Sequence, residues 1–106
     1  KPQSVNEVLK TVGLDPLDYK PVRKYSMGMK QRLGIAQAIM EDPDTLILDE
    51  PMNGLDKQGV ADMRYLFAEI GKRRKTMILT SHIQEDIDFL CKRVYQMDGG
   101  ILQRVR

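Results

Sequence analysis

Two short apolar runs, Thr45 to Leu48 in "TLILDEP" and the later "TMILTS", constrain this chain's fold more than any other feature. Turn residues bound each run and neither alternates apolar with polar side chains, which is the pattern of strands buried on both faces of a parallel sheet. Between them Val60, Met63, Phe67 and Ile70 recur at helical spacing, closed by Gly71 and the basic cluster "KRRK" at the negative end of the helix dipole. Parallel strands cannot be joined by a tight turn, and an intervening helix supplies the crossover. The pattern therefore predicts an α/β fold.

Two further helices are predicted upstream. Ser4 followed by Glu7 reads as a capping box, with Val5, Val8, Leu9 and Val12 on one face until Gly13 stops the helix. "LDPLDYKPVRK" has two prolines and no periodicity, so it reads as a loop. A second helix is expected from about Met27 to Glu41, burying Met29, Leu33, Ala36 and Met40 and ending at "EDPD". After "TMILTS" a short helix should turn Ile83, Ile87, Leu90 and Cys91 inward. "DGG" should then fold "RVYQM" onto "ILQRV" as a C-terminal β-hairpin.

With 106 residues the chain has room for one modest core. Its 42% hydrophobic and 30% charged residues are those of a soluble globular protein, and a net charge of +2 gives no argument for nucleic acid. The basic cluster reads as a helix terminus. The single cysteine, Cys91, reads as a buried thiol in a reducing cytosol. No apolar run approaches the roughly 20 residues needed to span a bilayer, so a link to a membrane is expected only through a partner.

Ligands of open parallel α/β sheets sit outside the carboxyl ends of the strands. Asp49 and Glu50 follow the first strand, where one carboxylate can hold Mg²⁺ and the next can polarise a water, although an acidic pair here can also simply cap the following segment. His82 follows the second strand, and a lone histidine can equally be a hydrogen-bonding core residue. The combination is more specific than its parts. "YSMGM", "KQRLGIAQAI", "TLILDEP", "NGLD" and "TSH", in this order and spacing, resemble the nucleotide-binding domains of ABC-type ATPases.

In that family the signature is "LSGGQ", and Tyr25, Ser26, Met27, Gly28 and Met29 stand at its five positions. The resemblance implies a serine hydroxyl, glycine N–H groups and a helix N-terminus, in Ser26 and Gly28, facing the γ-phosphate of an ATP held by a partner subunit. Met27 and Met29 depart from the family's Gly and Gln. It implies Asp49 as the magnesium-side carboxylate, Glu50 as general base, Asp56 of "NGLD" at a dimer interface, and His82 as a γ-phosphate contact. The form of the motifs resembles bacterial export ATPases for bacitracin and lantibiotics.

No G-x-x-x-x-G-K-[ST] occurs in the chain, since Gly71-Lys72 is followed by arginine. The resemblance therefore implies a partial P-loop NTPase-like fold: residues 1–41 as the end of a helical subdomain and 42–106 as the C-terminal part of the ATPase core. The family's P-loop would precede Lys1. Expected cofactors are ATP and Mg²⁺; expected partners are a second nucleotide-binding domain, identical or different, and transmembrane permease subunits, with no nucleic acid. The expected place is the cytoplasm, at the inner face of the membrane. Two other readings stay open: a soluble relative acting on ribosomes or chromosomes, and a non-catalytic docking fragment. "NGLD" in place of "NHLD" and the lack of coiled-coil heptads lean against the first; the missing P-loop favours the second for this chain, while Asp49, Glu50 and His82 argue that its parent protein hydrolyses ATP.

Overall fold

A computed structural model describes residues 4–73 and 75–106. Four helices, α1 (Val5–Thr11), α2 (Met27–Ile39), α3 (Lys57–Gly71) and α4 (Gln84–Leu90), surround or follow four strands, β1 (Thr45–Asp49), β2 (Thr76–Thr80), β3 (Tyr95–Asp98) and β4 (Ile101–Arg104). β1 and β2 pair in parallel with Asp49 opposite Thr80, and α3 makes the crossover. The α/β class and the C-terminal hairpin are as predicted. The parallel sheet has two strands, separate from the hairpin.

Helices α1, α2 and α3 each begin where a short polar side chain replaces a missing backbone acceptor, whereas α4 begins at Ile83 without one. The Ser4 hydroxyl accepts the Glu7 N–H at 3.2 Å, while the Glu7 carboxylate accepts the Ser4 hydroxyl rather than closing the box on its N–H. Ser26 caps α2 by accepting the Met29 N–H, and Asp56 caps α3 by accepting the Gly59 N–H. The loop before α2 is irregular except for a 3₁₀ turn at Val22–Lys24. In the hairpin Gly99 and Gly100 both take positive φ (56° and 81°), the geometry of a two-residue turn whose twist matches the strands it joins.

The core gathers Val8, Val12 and Leu14, then Ile35, Ala36 and Ile39 of α2, Leu46 and Leu48 of β1, and Met52, Met63, Phe67 and Ile70. Three expectations need correction. β1 is buried on one face only: Leu46 and Leu48 point in while Ile47 is 69% exposed, because helices cover a single side of this sheet. On α2 the fully buried residues are Ile35, Ala36 and Ile39, while Met29, Leu33 and Met40 are only partly buried against the core. On α4, Ile83 is exposed, Ile87 and Cys91 are half-buried, and the deepest residue is Asp86. Cys91 is thus a partly covered thiol, and burial pushes its pKa up.

Within the basic cluster, Lys72 pairs with Glu69 at the end of α3, and Lys75 pairs with Asp42 and Asp44 at the entry to the sheet. Arg74 lies outside the described residues. Among the described residues no helix is long and apolar enough to cross a membrane.

Candidate functional site

The sheet's carboxyl end assembles Asp49, Glu50, Thr80 and His82. Parallel register puts Asp49 beside Thr80, and the Thr80 hydroxyl donates to the Asp49 carboxylate. The chain then leaves β1 through Glu50 in the left-handed region, φ +47°, a conformation that costs a side-chain-bearing residue about 1–3 kcal/mol and survives only where its surroundings fix it. Here the Glu50 N–H donates to both the carbonyl and the hydroxyl of Thr80, each at 3.0 Å. Its carbonyl accepts the Asn53 N–H and the Gln31 side-chain amide, each at 3.1 Å.

The Glu50 carboxylate meets His82 Nδ1 at 2.8 Å. This hydrogen bond, and then the carboxylate's charge, raise the His82 pKa above its ordinary 6.5. His82 is otherwise open to solvent, with its side chain 72% exposed, so it is not a core histidine. With Nδ1–H directed at the carboxylate, Nε2 faces outward, an acceptor in the neutral ring and a donor in the imidazolium.

A second group forms where α2 begins. The Ser26 hydroxyl spends a lone pair on the Met29 N–H at 3.1 Å, which leaves its proton free to donate elsewhere. The N–H groups of Met27 and Gly28 open the helix, where the helical pattern supplies no acceptor. Gly28 lies against the loop before α3: a Cβ there would sit 3.0 Å from the Gly54 carbonyl oxygen. The Met27 side chain covers Gly54, while Met29 packs against the core. Asp56 caps α3 through one carboxylate oxygen, 2.8 Å from the Gly59 N–H, and remains exposed.

The expected site residues thus fall into two sets, one of Asp49, Glu50 and His82 and one of Ser26 and Gly28 beside the Gly54–Asp56 loop. Sequence reasoning missed Thr80 and Gln31, which fix the Glu50 peptide from opposite sides. Their signals were positional: Thr80 is the register partner of Asp49, and Gln31 lies just beyond the signature stretch. It also missed the pair between Arg64 and the fully buried Asp86, 2.6 Å, which ties α3 to the helix that follows His82.

Asp49 and Glu50 supply hard oxygen ligands at a strand end. Among the described residues no three side chains form a metal cage, but Mg²⁺ needs none, since it is held by one or two carboxylates together with water and substrate phosphates. The donor set therefore fits Mg²⁺.

An acidic pair and a histidine at the carboxyl end of a parallel βαβ unit define an α/β site of the kind that binds ligands above its sheet. Residues 1–53, half of the chain, match the family model described as ABC transporter, and the chain belongs to this family. It is 44% identical to the uncharacterized ABC transporter ATP-binding protein YcbN of Bacillus subtilis over 97% of its own length and 34% of the relative's. It is 47% identical to the bacitracin transport ATP-binding protein BcrA of Bacillus licheniformis, over 99% of this chain and 35% of that protein. It is 42% identical to the lantibiotic transport ATP-binding protein SrtF of Streptococcus pyogenes, over 78% of this chain and 36% of that protein. The chain thus spans about a third of the length of these relatives.

Proposed function

We propose that this chain is the C-terminal part of a nucleotide-binding domain, residues 1–41 ending its helical subdomain and 42–106 belonging to its ATPase core. The whole protein hydrolyses ATP to drive a membrane exporter of drugs or peptides. The observation that carries this reading is the Glu50–His82 contact at 2.8 Å beside Asp49, on the strand ends of a βαβ unit. The names of BcrA and SrtF, bacitracin and lantibiotic transport ATP-binding proteins, support a role in transporting such molecules. The P-loop and the rest of the phosphate cradle belong to the remaining length that the relatives have and this chain does not cover.

One Glu50 carboxylate oxygen is occupied by His82, and the other is available to orient a water and take its proton as the water attacks the γ-phosphate. His82 keeps Nδ1–H on Glu50 and donates from Nε2 to a phosphate oxygen. Both bonds together require the imidazolium, which the raised pKa favours. Asp49 is the residue that would hold Mg²⁺, directly or through water; when bound, the ion offsets charge on the phosphates. Ser26 and the N–H groups at the start of α2 face the nucleotide of a second domain, identical or different, and Asp56 lies at the interface of the two. Permease subunits seat the pair at the cytoplasmic face of the membrane.

The test is Glu50→Gln in the full-length protein. Loss of a general base lowers ATP turnover by about 10²–10⁴-fold while nucleotide binding persists. Wild-type phosphate release from that variant would remove Glu50 from the role.

A further inference from the structure

We infer that Gln31 is a positioning residue for the Glu50 carboxylate, an inference that rests on the reading of Glu50 as the base. Glu50 occupies a backbone conformation that its own side chain disfavours, φ +47°, so the direction of its carboxylate depends on what clamps the peptide groups on either side. Thr80 clamps the N–H from β2, and the Asn53 N–H closes a local turn onto the carbonyl. Neither fixes the strand end relative to the helix layer. Gln31 does: its amide Nε2 reaches from α2, 19 positions away in sequence, to the Glu50 carbonyl at 3.1 Å in a partly buried contact. The same helix starts at Ser26 and packs through Ile35, Ala36 and Ile39 into the core, so the donor comes from a fixed support. Without it the carbonyl keeps a single donor, the strained peptide can rotate, and the carboxylate leaves both His82 and the attacking water.

The experiment measures steady-state ATP turnover of the full-length protein with Gln31→Met, Gln31→Asn and Gln31→Lys, each alone and the first also combined with Glu50→Gln. Met matches the length of Gln without the donor, Asn keeps the amide but falls one methylene short, and Lys retains a donor of sufficient reach. Gln31→Met and Gln31→Asn should lower kcat roughly three- to tenfold, the loss of one hydrogen bond of ordinary strength. KM for ATP should stay within about twofold, as for an interaction that matters in the transition state. Gln31→Lys should restore most of the rate. In the Glu50→Gln background Gln31→Met should add no further loss, because the group it positions is gone.

Wild-type kcat in Gln31→Met, a loss of equal size in the Glu50→Gln background, or a Lys variant as slow as the Met one would each overturn the proposal. Should the Met variant fail to fold, Gln31→Asn carries the same expectation in both backgrounds. Unchanged turnover in Glu50→Gln alone would overturn the base assignment itself. A normal Glu50→Gln loss with a silent Gln31→Met overturns only the positioning role.

Discussion

His82 makes its described side-chain contact with Glu50, and the bond has a measurable signature. Its pKa is raised first by that hydrogen bond and then by the carboxylate's charge. A group whose folded pKa lies above its unfolded value contributes stability that is fully present below about pH 6.5 and is lost as pH rises through the raised value. The imidazole is well exposed, so solvent screens the effect and the titration itself is the better readout. An NMR titration should place the His82 midpoint above 6.5 and return it toward that value in Glu50→Gln. An ordinary midpoint in the unsubstituted chain would mean that the contact does not persist in solution. At this scale the sequence singled out candidate residues but not what holds them. Thr80, Gln31 and Arg64 act across 22 positions of sequence or more in the first and third cases and 19 in the second, distances at which a motif carries no signal. Asp86 was hidden for a different reason. An acid in the first turn of a helix already has an explanation in the dipole, so its burial against Arg64 could not be inferred.

At the scale of the elements, the start of helix α3 gives Asp56, the residue proposed for an interface, a separate role in the fold. Asp56 accepts the Gly59 N–H at 2.8 Å, which satisfies one of the donors left open at the helix start. Asp56→Ala should destabilise the chain by about 1 kcal/mol in a denaturant titration, whereas Asp56→Asn, which keeps the acceptor, should cost only a fraction of that. Equal stability of the Ala variant and the parent would show that the cap contributes nothing. The elements themselves were legible because helical period, caps and turn glycines are local. The strand faces were not: "TLIL" reads the same whether one side or both are covered, and only the packing leaves Ile47 outside while Leu46 and Leu48 are inside.

At the scale of the whole molecule, the chain exposes Ile47 and Ile78 on its sheet and Met97, Ile101 and Leu102 on its hairpin. Its radius of gyration, 14.7 Å, exceeds the ~13 Å of a compact chain this long. The hairpin, exposed along both strands, is joined to the rest through Arg106, which bonds the Cys91 carbonyl and Asp88. Without a P-loop in its 106 residues, the isolated chain should give no resolvable heat when titrated with MgATP at concentrations up to the micromolar range. Micromolar binding by the isolated chain would require a phosphate site other than the one proposed.

The sequence by itself determined the α/β alternation, the helix starts at Ser4 and Ser26, the glycine turn of the hairpin, and the resemblance that singled out Asp49, Glu50 and His82. These follow from rules that act within a few residues, or from motifs whose order along the chain is itself the signal. The tertiary structure alone decided which face of β1 is covered, that Met27 lies over Gly54, and that Arg64 meets a buried Asp86. It also decided that the strained peptide of Glu50 is held from β2 by Thr80 and from α2 by Gln31. Each of these is a contact between elements, and such contacts depend on how helices and strands settle against one another, where sequence spacing no longer measures distance.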